Sequence, residues 1–393
     1  MDMMKTMKTL AALLLALGFA FIANGQTIDT KSNAPIIIIP GLTGSELVNS
    51  ETDELVWFKP QRSKDDDLRL PIRPNLTRNR DKLVPRDIIR GVQLARWLPE
   101  VELYSQLITA LEKRAGFVEG SWENPAKGGY ESTFYVYPYD WRRDNIESAR
   151  KLVQKIENLK RKLGKPDLKF NIIAHSMGGL ISRYAAMYGN NDVGRGRPKP
   201  NWAGAKHLNK IFLLGTPNEG SISAFDAMLN GFSYLGRGIN IPFFQDLSRF
   251  DVFTIPSMYQ LMPHNGALRI YDEDLNLLKI DIYNPDVWEM YGWSIWEDDD
   301  FKKKFDIVEQ GNARAYFRVA LERARQFQAA LNASASVAPP VEFYLVGADC
   351  KETPDGAILI KTKKNRWKLI FEAESFERSN GQKVTSEEVR KKI

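Results

Sequence analysis

Phe170-Asn171-Ile172-Ile173-Ala174-His175-Ser176-Met177-Gly178-Gly179-Leu180-Ile181-Ser182-Arg183-Tyr184-Ala185-Ala186 decides the reading of this chain. An apolar, strand-like run leads into small-x-Ser-x-Gly, and a helix-like run follows. That order is the context in which a serine sits on a sharp strand-to-helix turn with its hydroxyl above a sheet. Ala174 and Gly178 flank Ser176 at two residues' distance, where strand and helix nearly touch and bulk beyond Cβ is excluded. Ser176 is therefore the candidate nucleophile. An ordinary loop serine would not need that pattern of flanks.

Outward from the turn, strands alternate with helices. Ile36 to Ile39 is a continuous apolar run after Ala34-Pro35, the signature of a strand buried on both faces. Tyr104 to Lys113 has helical spacing, Phe134 to Tyr137 reads as a strand, and Ser148 to Leu163 as an amphipathic helix. Asn209 to Leu214 and Val341 to Val346 are further buried strands. Alternation of this kind predicts an α/β fold with a mostly parallel sheet flanked by helices. The chemical-looking motifs follow the C-terminal ends of strands, where open parallel sheets place their sites.

Residues 218–335 break the alternation and carry Phe243, Phe244, Phe250, Phe253, Trp288, Tyr291, Trp293 and Trp296. They read as an aromatic-rich cap insertion ending in a long helix around Phe301 to Ala330. The expected division is a signal peptide (1–25), a first core part (26–217), the cap (218–335) and an incomplete second core part (336–393). The signal reading rests on Lys5 and Lys8, the apolar run Leu10 to Ala20, and small residues at Ala23-Asn24-Gly25. That run is shorter than the ~20 residues a membrane span needs. Export to a periplasmic or extracellular setting is expected. A single cysteine, Cys350, allows no intramolecular disulfide, so the core must supply stability.

The formal charge of +6 is modest for 393 residues, and no motif points to nucleic acid. Lys361, Lys363, Lys364, Arg366 and Lys368 cluster near the end. A solvated face and attraction to an anionic lipid surface are both open there.

A serine needs a base in reach, a partner for that base, and donors for the oxyanion. One donor is the N–H after the nucleophile, here Met177. The second comes from the loop after an early strand, where Gly41-Leu42 offers the Leu42 N–H.

Three segments resemble the lecithin:cholesterol acyltransferase family: Ile36-Ile37-Ile38-Ile39-Pro40-Gly41-Leu42-Thr43-Gly44-Ser45, Pro138-Tyr139-Asp140-Trp141-Arg142, and Ala174 to Gly179. Leu214 to Ser221 and Pro256 to Leu261 look more like its bacterial, lipase-like members. The resemblance runs in order from about residue 34 to about 355. It implies an α/β-hydrolase fold, a Ser-Asp-His triad, and hydrolysis or transfer of acyl groups from lipid esters without a cofactor or metal. Asp140 and Arg142 also read on their own as a pair pinning the loop beside Trp141.

The remaining triad members are not identified. The chain has three histidines. His175 projects away from Ser176, His207 precedes a strand at its far end, and His264 lies inside the cap. The family's Gly-Asp-Gly-Thr/Asp-Val type loop is absent. Asp355 is a faint echo of it, and Asp349 ends the late strand. Ser386 to Ile393 reads as a helix stopped midway, so a truncated record is expected, with acid and base beyond it. A catalytically impaired lipid-binding relative and a serine esterase or peptidase of another class stay open. So do acceptor, head group and oligomeric state.

Overall fold

The computed structural model describes residues 34–59, 67–92, 101–194, 196–233, 246–350 and 352–393. The expected signal peptide, with Phe243 and Phe244, lies outside them. Six parallel strands form the main sheet: β1 (Ile36–Ile39), β2 (Val118–Glu119), β3 (Thr133–Val136), β4 (Phe170–His175), β5 (Leu208–Leu214) and β6 (Glu342–Val346). Their spatial order is β6-β5-β4-β1-β3-β2. The four isoleucines of β1 are all buried because the strand lies between β3 and β4 and both its faces are covered. A continuous apolar run is what such a position demands.

Helix α1 (Asn145–Leu163) starts one turn earlier than its apolar spacing suggests, because the Asp144 side chain accepts from the Ile146 N–H as an N-cap. Gly164, at φ 64°, closes it. Helix α2 (Met177–Tyr188) is buried almost all round, since it packs between α1, the sheet and helix α3 (Ile307–Leu331). The expected helix over Phe301 to Ala330 is two helices. Phe301–Lys304 stops at Phe305, and Asp306 and Glu309 then form a capping box that starts α3. Side chains of α2 satisfy the last carbonyls of α3. Tyr188 Oη donates to Ala330 C=O at 2.8 Å, and Arg183 Nη2 to Leu331 C=O at 2.7 Å. Carbonyls in the last turn of a helix lack the full set of intrahelical donors.

The insertion between β5 and β6 has its own aromatic centre. The Phe253 ring meets Tyr259, Trp296, Phe305, Tyr316 and Phe317 at centroid separations of 5.5 to 6.5 Å. Such stacked and edge-on pairs favour a fixed arrangement beyond the area they bury. The insertion's aromatics are therefore largely its own core.

Of residues 336–393, only β6 joins the main sheet. Gly356–Lys361 and Trp367–Ile370 pair instead with Arg269–Tyr271 and Leu277–Leu278 from the insertion, in a separate four-stranded sheet. The segment read as an open-ended helix is a short one, Ser386–Arg390, with a Thr385–Glu388 capping box at its start. Among the described residues no helix is long and apolar enough to cross a membrane.

Candidate functional site

The site lies at the C-terminal ends of β1 and β4, adjacent strands in register from Ile36 with Asn171 to Ile39 with Ala174. Ser176 ends the β4 turn at φ 50° and ψ −123°, in backbone territory that a side-chain-bearing residue rarely adopts. Two contacts hold it there. Ser176 N–H donates to Leu214 C=O at 2.8 Å, and Gly179 N–H to Ser176 C=O at 3.0 Å. Glycines make the crossing feasible. A Cβ on Gly178 would lie 2.5 Å from Pro40 O and 2.7 Å from Ile39 O. A Cβ on Gly179 would collide with the Thr216 side chain.

The loop after β1 folds back over the turn. Gly44 N–H donates to Gly41 C=O at 3.1 Å, with Thr43 at φ 61°. Leu42 occupies the second position of that turn, where an N–H is not used to close it. A Cβ on Gly41 would sit 2.9 Å from Ser176 Cβ. Met177 opens α2, so its N–H has no place in the helical ladder. Leu42, Met177 and Ser176 are thus brought to one place from two strands.

Three aromatic side chains grip the loop. Tyr139 Oη donates to Pro40 C=O at 3.0 Å, Trp57 Nε1 donates to Thr43 C=O at 2.9 Å, and Tyr104 Oη accepts from the Gly41 N–H at 2.9 Å. Tyr104 Oη also lies 2.9 Å from His175 Nδ1. Burial lifts the Tyr104 phenol well above its ordinary value and lowers the His175 imidazole, so both are neutral near pH 7. Tyr104 was not singled out from the sequence. It lies 71 positions from His175, and no local pattern marks such a contact.

The three histidines are engaged away from the Ser176 hydroxyl. His175 turns onto Tyr104. His207, at the start of β5, lies 3.3 Å from a Glu157 oxygen and 3.2 Å from Lys160 Nζ. His264 Nε2 is 2.7 Å from Asn332 Nδ2, and its backbone N–H donates to Glu219 C=O. Burial lowers the His264 imidazole. Asp355 pairs with Arg269 beside the four-stranded sheet, and Cys350 is exposed and free. Among the described residues no group of three or more His, Cys, Asp or Glu side chains is placed to hold a metal.

The Pro138 to Arg142 run has the pinning role its sequence suggests, with an unforeseen third partner. Arg142 is fully buried and holds Asp140 at 2.9 Å and Asp81 at 2.6 Å. It also reaches Leu68 C=O at 3.3 Å, and Ser257 Oγ donates to Trp141 C=O at 2.5 Å, tying the insertion to the core. Lys363 and Lys368 of the late basic cluster face solvent and lie within reach of Glu377 and Glu374.

Comparison with curated proteins finds no match. Among solved structures, a chain of the Tle4-Tli4 complex is similar at 15% identity and TM-score 0.48, over 76% of this chain and 72% of that one. The Bacillus licheniformis lipase BlEst2 in its mature form gives 14% identity and TM-score 0.27, over 60% of each chain. Its propeptide form gives 14% and 0.25, over 52% of this chain and 27% of that one. The family model for lecithin:cholesterol acyltransferase matches residues 108–359, which span the turn, the Pro-Tyr-Asp-Trp-Arg run and the whole insertion. The chain belongs to the lecithin:cholesterol acyltransferase family.

Proposed function

We propose that this protein is a serine acyl hydrolase or O-acyltransferase acting on lipid esters through an acyl-enzyme on Ser176. Family membership supports the coarse reading, a lipid-ester hydrolase or acyltransferase. One observation carries the finer reading: the strained Ser176 backbone lies against the Gly41-Leu42 loop, with Met177 at a helix start.

On this reading the Ser176 oxygen attacks the acyl carbonyl carbon. The Leu42 and Met177 N–H groups receive the oxyanion as the carbon becomes tetrahedral. Such a donor is worth about 3–4 kcal/mol when it is fixed before the reaction, because no reorganisation is required as charge develops. Collapse breaks the ester C–O bond, and the departing oxygen takes up the proton that the Ser176 hydroxyl released, leaving as the alcohol. Water or a second alcohol then attacks the acyl-enzyme, gives up its own proton and takes the acyl group, and Ser176 regains its hydrogen. Phospholipid and acylglycerol esters are the proposed substrates, met at a membrane surface. Residues 1–25 direct export, and 218–335 act as the cap.

A second reading has its own observation. With each histidine held elsewhere, the described residues present a nucleophile and donors without a base on the serine. A lipid-binding relative that does not turn over fits that arrangement. Labelling with a fluorophosphonate separates the two. The enzyme reading expects stoichiometric labelling that Ser176→Ala abolishes, and absence of labelling in the folded wild type overturns it. His264→Ala shows whether that imidazole takes part, because a base swings into reach only if its loss slows the reaction. Peptide, simple-ester and phospholipid panels then distinguish a serine esterase or peptidase of another class.

A further inference from the structure

We propose that Tyr104 and His175 are positioning residues: their hydrogen-bonded pair locks the loop bearing the Leu42 N–H to the turn bearing Ser176. This rests on reading Ser176 as nucleophile and Leu42 as oxyanion donor.

The hydrogen bonds of this unit can be assigned one by one. The Gly41 N–H is buried and donates to Tyr104 Oη. The phenol has one hydrogen, and the acceptor within reach is His175 Nδ1 at 2.9 Å. That places the imidazole proton on Nε2 and gives a directed chain: Gly41 N–H to Tyr104 Oη–H to His175 Nδ1. His175 is covalently joined to Ser176. The chain therefore links the oxyanion loop to the nucleophile's neighbour through one buried hydroxyl.

Sterics enforce the same arrangement. A Cβ on Gly41 would lie 3.1 Å from His175 Nδ1, and one on Gly44 would lie 3.0 Å from Tyr104 Oη. The Tyr104 and His175 rings meet edge-on, with centroids 5.8 Å apart. Tyr139 and Trp57 hold the loop from other directions, through the Pro40 and Thr43 carbonyls. Removing the Tyr104 hydroxyl leaves a buried N–H unpaired, and the loop must turn to find a partner. A shift of about 1 Å in a donor is enough to cost on the order of 100-fold in rate.

The test uses the full chain and four proteins: wild type, Tyr104→Phe, His175→Leu and His175→Asn. The Asn amide oxygen occupies roughly the place of Nδ1 and accepts the phenolic hydrogen; leucine cannot. The readouts are the second-order rate of fluorophosphonate labelling of the folded fraction, and amide exchange at Gly41 and Leu42. Labelling in Tyr104→Phe and His175→Leu should fall by about 10-fold or more, with recovery in His175→Asn to within about 3-fold of wild type. Gly41 exchange should accelerate by about 10-fold or more in Tyr104→Phe, with Ile37 to Ile39 unchanged. A purely structural role would lower the folded fraction without changing the rate within it. If Tyr104→Phe does not fold, the Leu and Asn pair carries the comparison. Wild-type rates in both Tyr104→Phe and His175→Leu overturn the positioning role and leave the nucleophile intact. A wild type that does not label overturns the catalytic reading instead. Gly41 exchange then decides the clamp, and equal exchange in wild type and Tyr104→Phe overturns it.

Discussion

Replacing Gly178 by alanine pits helix propensity against the close crossing of α2 over β1. Alanine is favoured over glycine in a helix by up to about 1 kcal/mol, so a local argument expects stabilisation. The structure expects the reverse. The new methyl would meet Pro40 O at 2.5 Å and Ile39 O at 2.7 Å, both backbone atoms that no rotamer change can move. An ordinary C···O approach is about 3.3 Å or more, so strand and helix must separate by roughly 0.8 Å. Overpacking of this kind costs about 1–3 kcal/mol, and rigid backbone on both sides puts it at the upper end, leaving a net loss of about 1–2 kcal/mol. The same displacement moves Ser176 relative to Leu42 and should slow labelling on the order of 100-fold. Gly311 supplies the control. It is exposed on α3, and its Cβ would meet nothing within 4 Å, so Gly311→Ala should gain about 0.5–1 kcal/mol with labelling unchanged. Urea denaturation followed by tryptophan fluorescence reads the stabilities, and fluorophosphonate labelling reads the site. Equal stabilisation by both substitutions, or wild-type labelling in Gly178→Ala, would refute the close-crossing argument.

Two other substitutions probe the charges around the core. Arg142→Met should destabilise the protein by about 3–5 kcal/mol in urea, because Asp140 stays buried without its cation; a loss under about 1 kcal/mol rejects the pinning role. Glu147 is pushed up by burial, but hydrogen bonds from Arg143 and Lys151 outweigh this and hold it at about 2, below its ordinary 4.5. The folded carboxyl is the more acidic, so its contribution is complete above pH 4.5 and is lost as pH falls towards 2. Glu147→Gln should therefore cost about 1 kcal/mol at pH 7, after allowance for solvent screening, and flatten the acid limb of a stability curve followed by circular dichroism. An unchanged acid limb counts against the assignment.

What could be read from the sequence was local or periodic. The Ile36 to Ile39 run announces a strand covered on both faces, and the residues around Ser176 announce a tight strand-to-helix turn. Asp140 and Arg142 are two positions apart, and their pairing needs no knowledge of the fold. Asp81, the other carboxylate on Arg142, is 61 positions away and carries no mark of its role. Tyr104 is hidden in the same way, in a segment whose helical spacing explains it without function. Boundaries failed where a polar side chain overrides apolar periodicity. Asp144 starts α1 early, and Asp306 cuts the long helix of the insertion in two. The last helix does begin at Ser386 as expected, where Thr385 and Glu388 form the Thr-x-x-Glu capping box. The four-stranded sheet escaped because it joins Arg269–Tyr271 to Gly356–Lys361, short strands separated by most of the insertion.

The register of β1 against β4 also bears on how the protein reaches its working state. Ile39 faces Ala174, so the strands carrying the two halves of the site are joined across roughly 135 residues of chain. The entropy of closing that loop must be met before the close approach of Gly41 to Ser176 contributes, and no short fragment can rehearse the geometry. On the proposed reading, a fluctuation that parts these strands withdraws the Leu42 donor and loosens the setting of Ser176 in the same event. Reactivity at Ser176 is consequently a readout of long-range order: during refolding it should return with the slowest phase of the sheet, after the helices have regained their signal.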